Sequence, residues 1–485
     1  MRTATTWCWV SGVVALLSAG CGCDARPEGG ADGGADADAD ADTDADADTD
    51  TDADADGGTG FWDNGCSAAQ APGAVRLTGR VMGPGGLFPV ARALVAAYGS
   101  AADVPAIPDG AYCEECVDLT GVPYRLTAPD GSFCLDLPPG EAVALAVQKG
   151  QFRRVRDYTV PAAPDTEATP DAELLTLPST RDDAAGDMIP HIAVALGDYD
   201  QVEDILAKAG MGTLDAGYTF ELGSEVGIWD AYDDKMPASW PDTNYGLNLS
   251  DLLHDLGAMM QYHIIFFPCS YNANFSFMLD AQVIQNVRDY VWAGGKIYVS
   301  DYAYYVVDMA WNDFLHFVGY GGDTCAEAAS PSGCNHGPPF DAPATVDDDL
   351  MREWIDLIVE DTPDPLDDDI VMMENWDTIG ATAPGVVGED PSSGDPISQE
   401  PKIWVEGPWA YDADDLPDTD FDVTTPHPLT VSWPYNCGRV IYTTYHTVGA
   451  TGGGQHAGLY AQEMLLYFLI MELGVCQDDV PVVVE

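Results

Sequence analysis

One thiol, one imidazole and two carboxylates each follow an apolar run in this chain: Cys269, beside Ser270, then Asp301 and His446, and earlier Asp198. A cysteine next to a histidine can act as a nucleophile whose proton passes to the imidazole, with a carboxylate holding the ring. In that scheme Cys269 attacks, His446 is the base and Asp301 the orienter, while Asp198 and Ser270 stand at the ligand edge. The scheme requires the sulfur within about 5 Å of the imidazole, because proton transfer acts over hydrogen-bond distances. The competing reading pairs Cys269 with Cys437 or Cys476 in a disulfide and leaves His446 hydrogen-bonded within its loop.

These residues meet only if the runs before them are neighbouring strands of one sheet. His191–Leu196 is continuously apolar and ends at Gly197-Asp198, the texture of a strand buried on both faces. Gln201–Ala209 reads as the following helix. Leu249–Met260 is amphipathic, with Ser250 expected at its N-cap. Tyr262–Phe267 is a second buried strand before Pro268-Cys269. A helix over Asp280–Trp292 carries Val283, Ile284, Val287 and Val291 on one face and stops at Gly294-Gly295. Lys296–Val299 leads into Ser300-Asp301, and Arg439–Tyr442 leads toward His446. The apolar helix expected over Ala457–Leu473 has eight uncharged residues between Glu463 and Glu472, too few to cross a bilayer. Alternating strands and helices imply an α/β domain over 186–485 with a doubly wound parallel sheet, and ligands bind such sheets at the carboxyl ends of the strands. The acidic, proline-rich stretch 301–436 is expected to be an insertion covering part of that edge.

Three of these stretches carry a family resemblance: Tyr262–Pro268, Ala293-Gly294-Gly295-Lys296 to Ser300, and Gly438–His446. Together they resemble the class I glutamine amidotransferase-like fold, and within it the ThuA-like (trehalose-utilisation) group. That resemblance implies a flavodoxin-like sheet and a nucleophilic cysteine on a Gly-x-Cys-x-Gly turn after the strand that follows the glycine pair. This chain has Val299-Ser300-Asp301-Tyr302 there, with neither the cysteine nor the glycines. The family's Pro-Gly-Gly after the second strand is Pro268-Cys269-Ser270 here. Amidotransferase chemistry is therefore not expected. A binding or scaffolding role leads, with a hydrolase using Cys269 and His446 as the alternative.

Residues 66–185 have a different texture. Short alternating strands separated by Gly-Pro-Gly-Gly at 83–86, Asp130-Gly131 and Pro138-Pro139-Gly140 point to an antiparallel β-sandwich. The Gly-x-Val at 79–81, the Pro-Val-x-x-Ala-x-Val at 89–95 and the Asp-Gly-x-Phe at 130–133 resemble the carboxypeptidase regulatory-like, transthyretin-type sandwich. Such modules are spacers or adhesive elements. Cys113 and Cys116 have the spacing of a metal or redox pair, yet no histidine lies between 66 and 178, and no βαβ unit surrounds them. The four cysteines Cys66, Cys113, Cys116 and Cys134 are expected to form two disulfides of undetermined connectivity, and Cys325 is expected to close on Cys334. His336, His427 and His456 lack metal-ligand spacing.

The N-terminal segment fixes the expected address. Arg2 precedes an apolar run, Trp7–Leu17, which reads as an export signal over residues 1–20. Leu16–Cys21 resembles the lipobox of bacterial lipoproteins, with Ser18 where the family has leucine; it implies lipidation of Cys21 and a membrane partner, at the outer membrane or cell surface, the alternative being a secreted soluble product. Residues 21–65 form a tether dominated by an Asp-Ala/Asp-Thr alternation, twelve aspartates between Ala31 and Asp56. Neither face of that alternation can be buried, so it stays extended and disordered. Asp52–Gly57 with Asp63 matches half of a calcium loop, which any such run produces, so diffuse counterion binding is expected and no cofactor. The whole chain has 81 acidic against 18 basic residues, a formal charge of −63. That excludes a nucleic-acid partner, since phosphate binding needs clustered cations, and leaves a protein or glycan ligand of unknown identity.

Overall fold

The computed structural model describes residues 64–114, 118–197, 199–222, 225–230, 247–270, 277–318, 340–359, 370–390, 392–408, 426–447 and 458–473. Two N-terminal sheets come first. The strands are β1 (Val75–Arg80), β2 (Leu94–Tyr98), β3 (Tyr124–Leu126), β4 (Ser132–Leu137), β5 (Ala142–Lys149), β6 (Phe152–Thr159), β7 (Thr166–Ala168) and β8 (Asp187–Met188). One sheet has the order β4-β1-β7 and the other β3-β2-β5-β6-β8. The period of two is explicit in β5. Val143, Leu145 and Val147 enter the core shared by both sheets, while Ala144 and Ala146 pack on the opposite face with Ala96 and Tyr98. Gly131, at φ +77° in the turn before β4, sits so close to Val81 that an added Cβ would lie 2.5 Å from its carbonyl oxygen.

The α/β lobe that follows includes β9 (Ile192–Leu196), α1 (Val202–Lys208), β10 (Val226–Asp230), β11 (Leu247–Asn248), α2 (Leu249–His254), α3 (Leu256–Met259), β12 (Ile264–Phe267), α4 (Ala281–Trp292), β13 (Lys296–Ser300), α5 (Tyr305–Ala310), β14 (Thr345–Val346), α6 (Asp349–Val359), β15 (Val371–Asn375), β16 (Lys402–Pro408), β17 (Pro426–Tyr435), β18 (Gly438–Thr443) and α7 (Ala461–Leu473), besides short strands that pair outside its main sheet. Nine of the strands form one sheet in the order β11-β10-β9-β12-β13-β18-β17-β16-β14. From β11 to β18 every pairing is parallel, and from β18 to β14 every pairing is antiparallel. The chain therefore combines small β sheets with an α/β lobe, and that lobe's sheet is mixed rather than wholly parallel. Three strands of the stretch expected as an insertion extend the sheet itself.

Local expectations differ in detail. The segment 249–260 breaks into two short helices because Asp255 leaves the helix and caps the second with its side chain. Asn248, not Ser250, caps the first, accepting from the Ser250 amide. Asp348 caps α6 through Met351 N at 2.7 Å. Helix α7 is apolar all round because it is buried all round: its residues join the core that the N-terminal sheets share with β9 and β12. No helix among the described residues is long and apolar enough to cross a membrane.

The contact between the N-terminal sheets and the α/β lobe is held by specific chemistry. Lys149 pairs with Glu472 and Lys296 with Glu114 at 3.2 Å across it, while Lys208 on α1 pairs with Glu463 on α7 within the lobe at 3.0 Å. Phe88 packs edge-on to Trp354 and Tyr467, and Trp354 Nε1 donates to the Pro89 carbonyl. The cysteines correct the expected pattern. Cys66 is bonded to Cys134 within the N-terminal sheets, but Cys113 reaches Cys437, 324 positions away. The approach depends on Gly294 (φ +107°), the turn before β13, where a Cβ would overlap the Tyr112 carbonyl. Cys269 is a free, buried thiol, so its pairing with Cys437 or Cys476 is excluded. Cys116, Cys325, Cys334 and Cys476 lie outside the described residues, as do Cys21, the tether and the calcium-like loop with Asp63.

Candidate functional site

Three adjacent parallel strands deliver the site. Cys269 lies two residues past the end of β12, Asp301 directly follows β13, and His446 lies three residues past β18. Each is no more than 1% exposed. His446 Nε2 is 3.0 Å from Cys269 Sγ and 2.9 Å from Asp301 Oδ2, so the thiol and the carboxylate crowd the same ring nitrogen. The other nitrogen, Nδ1, faces Glu374 Oε2 at 3.3 Å. An orienting carboxylate must work from the nitrogen that the nucleophile does not use, and Glu374 holds that position where the sequence suggests Asp301.

Glu374 carries no sequence signal. It lies near the end of β15 with φ +57°, in an acidic stretch without alternation. A single bridge, Asn375 to Tyr445, brings β15 beside the residue before His446, and Thr444 Oγ1 donates to Asn375 Oδ1 at 2.8 Å. Gln462 on α7 donates to the His446 carbonyl, which fixes the loop from the other side.

Below the three residues runs a satisfied polar brace that the sequence reading also missed. Asp200, wholly buried, accepts from Ser300 Oγ at 2.6 Å and from the amides of Gln201 and Thr447 at 3.0 and 3.1 Å, and from the Thr447 hydroxyl. Ser300 Oγ in turn accepts from the Cys269 amide at 2.9 Å. Through these bonds the loops after β9, β12, β13 and β18 hold one another. Asp200 thus has its hydrogen bonds filled, whereas both Asp301 oxygens are buried without a well-formed hydrogen bond.

Asp301 has φ +44°, the left-handed region that a non-glycine residue enters only when its surroundings force it. In this chain the strained turn has an aspartate at its tip, and the nearby thiol follows β12. Burial pushes the Cys269 thiol up to about 12, the nearby Asp301 and Asp200 adding to the rise against the opposing pull of His446. Burial also lifts Asp301 well above the carboxylate range, with Asp377 reinforcing the shift.

Ser270 is wholly buried beside Cys269, and Asp198 lies outside the described residues. His427 is on β17, with Nδ1 3.2 Å from the Ile379 carbonyl oxygen, away from this cluster, while His336 and His456 lie outside the described residues. The ring of Tyr199 lies parallel to that of His446, with centroids 6.1 Å apart.

No protein-family model matches the chain, and no curated protein matches it. Similar solved structures include two cytoplasmic proteins from Salmonella typhimurium. One is 11% identical with a TM-score of 0.29, covering 59% of this chain and 99% of its own; the other is 11% identical with a TM-score of 0.28, covering 58% and 98%. A protein from Bacteroides uniformis described as ThuA-like is 13% identical with a TM-score of 0.28, covering 58% of this chain and 90% of its own. Scores this low carry no argument for fold or activity, so the family resemblance stays with the sequence motifs.

Proposed function

We propose that this protein is exported, anchored in the outer membrane or at the cell surface through lipid on Cys21, and held off that surface by its Asp-rich tether. A carboxypeptidase regulatory-like sandwich then carries a doubly wound, ThuA-like α/β domain whose carboxyl edge binds a ligand rather than transforming one. The observation that supports this reading is the occupant of the elbow: Asp301 stands where the fold's nucleophile would, and the nearby thiol of Cys269 has no solvent exposure. Nucleophilic attack needs a thiolate that a substrate can reach.

The test is alkylation of the native protein with iodoacetamide at neutral pH, followed by peptide mass spectrometry. Cys269 is expected to stay unmodified until the protein is denatured. Rapid native labelling, with loss of a measurable hydrolytic activity on labelling, would overturn the reading. It would favour the second one, a thiol hydrolase with Cys269 as nucleophile, His446 as base and Glu374 as orienter. The 3.0 Å contact between sulfur and Nε2 is what speaks for that alternative. Anchoring is tested separately by the mass of the mature N-terminus, where an unmodified residue refutes it.

A further inference from the structure

We propose that Cys269, Asp301 and His446 bind one divalent transition-metal ion, zinc by donor chemistry, with Glu374 holding the imidazole from behind. This inference rests on the binding reading of the same edge and names its ligand. The sulfur, one carboxylate oxygen and one imidazole nitrogen lie within 4.8 Å of one another, each from a different strand end of a rigid sheet.

Protein groups alone leave this arrangement poorly satisfied. A single nitrogen, Nε2, faces both Sγ at 3.0 Å and Oδ2 at 2.9 Å, and it can serve one of them as donor or acceptor but not both. Asp301 is wholly buried, and neither of its oxygens finds a hydrogen bond of good geometry. Among the described residues it has no lysine or arginine partner; its ion-pair contact is His446. A buried carboxylate left in that state is costly. A cation between the three donors satisfies Sγ, Nε2 and Oδ2 together.

The donor set selects the ion. Calcium and magnesium take oxygen ligands, whereas a thiolate, an imidazole and a carboxylate are the ligands of zinc and its neighbours. Glu374 adds an independent pointer. A histidine that binds metal through one ring nitrogen is commonly held by a carboxylate on the other, and Glu374 Oε2 lies 3.3 Å from Nδ1. On binding, Cys269 loses its thiol proton to solvent and the sulfur–metal bond forms, with no change of oxidation state.

The experiment uses the full chain, recovered from an oxidising compartment and dialysed against metal-free buffer. Elemental analysis is expected to show one retained zinc per chain. After chelation, titration of the wild-type protein with cobalt is expected to give a thiolate-to-cobalt charge-transfer band. That band needs a sulfur ligand, so ions on the Asp-rich tether do not contribute. Cys269→Ser should abolish it, and Glu374→Gln should keep it while weakening affinity roughly 10–100-fold. Wild-type protein that is folded by circular dichroism yet gives no band overturns the inference, as does a band that survives Cys269→Ser. If the band is absent and Cys269 still resists native alkylation, the metal site fails alone. If Cys269 labels readily with loss of turnover, the binding reading fails with it.

Discussion

At the contact between the N-terminal sheets and the α/β lobe, each of the two nearly buried carboxylates Glu472 and Glu114 has a lysine ammonium against it. At the carboxyl edge, less exposed still, Asp301 has an imidazole and a thiol. In the first region, opposite charges offset the desolvation of both partners. In the second, a chain with 81 acidic residues places another acid where burial most penalises it and sets against it an imidazole rather than a lysine or arginine. The difference separates two uses of buried titratable groups: the contact region spends ion pairs on register between two lobes, and the edge gathers a carboxyl, a thiol and an imidazole with no lysine or arginine against them among the described residues.

The first way to break that comparison is to make the contact region resemble the edge. Lys149→Met leaves Glu472 facing an apolar side chain inside the packed core. Removing one partner of a buried pair costs up to about 3–5 kcal/mol, and Arg439, which also faces Glu472, offsets part of the charge left behind. The midpoint of urea unfolding should fall accordingly. Adding Glu472→Leu to Lys149→Met should recover most of the loss. If the single variant unfolds at the wild-type midpoint, the ion pairs do not hold the lobes in register.

A covalent link spans the same contact. The loop closed by Cys113 and Cys437 covers 324 positions, so in the unfolded chain it removes a large amount of conformational freedom. Replacing both cysteines by serine should cost about 2–5 kcal/mol, against a smaller loss for the Cys66–Cys134 link, which spans 68 positions. Thermal unfolding with and without reductant ranks the two.

This contact region was only partly visible in the sequence, and the reason is physical. Runs such as Ile264–Phe267 and Ile297–Val299 announce themselves because burial on both faces demands unbroken apolar residues. Helix α4 is legible for the same kind of reason, from its valines at helical spacing and Asp280 at its cap. The partner of Cys113 was not legible, since no local pattern encodes a bond across 324 positions. Strands β16 and β17 were hidden inside an acidic, proline-rich stretch whose polar content argues for a loop. At the edge, Cys269, Asp301 and His446 could be placed together because each follows a strand of one sheet. Glu374 and Asp200 could not: one arrives by a single bridge at a strained φ, the other by hydrogen bonds from three loops.

Acid should weaken the contact region through His263. It lies at the start of β12, accepts from the His191 amide at Nδ1, and has Nε2 3.0 Å from the Pro108 carbonyl oxygen. Burial lowers its pKa to about 4, and the neighbouring Lys296, His191 and Arg181 push the same way against that contact with Pro108. A histidine pKa lower in the folded state means stability that is complete above the ordinary value of about 6.5 and lost as pH falls from there toward 4. The loss amounts to about 3 kcal/mol in full. Unfolding midpoints between pH 7.5 and 4.5 should show the decline in the wild type and a shallower one in His263→Gln. Parallel slopes would remove His263 as the cause.

The smallest expected effect bears most directly on the comparison. Asp301→Asn removes one negative charge while keeping the side-chain shape, and asparagine tolerates the left-handed backbone at φ +44° as well as aspartate does. In protein stripped of metal, the variant should match the wild type within about 1 kcal/mol, since burial already disfavours the charged carboxylate and asparagine keeps one oxygen for the 2.9 Å contact with His446. With zinc present the two should separate. The wild type gains stability by mass action, about 2.7 kcal/mol at a hundredfold excess over the dissociation constant, and the variant, with a weaker oxygen donor, gains less. A variant clearly less stable than wild type in chelator would mean that Asp301 already has its counter-charge within the fold, and the edge would then differ from the lysine-paired contact region only in which cation it uses.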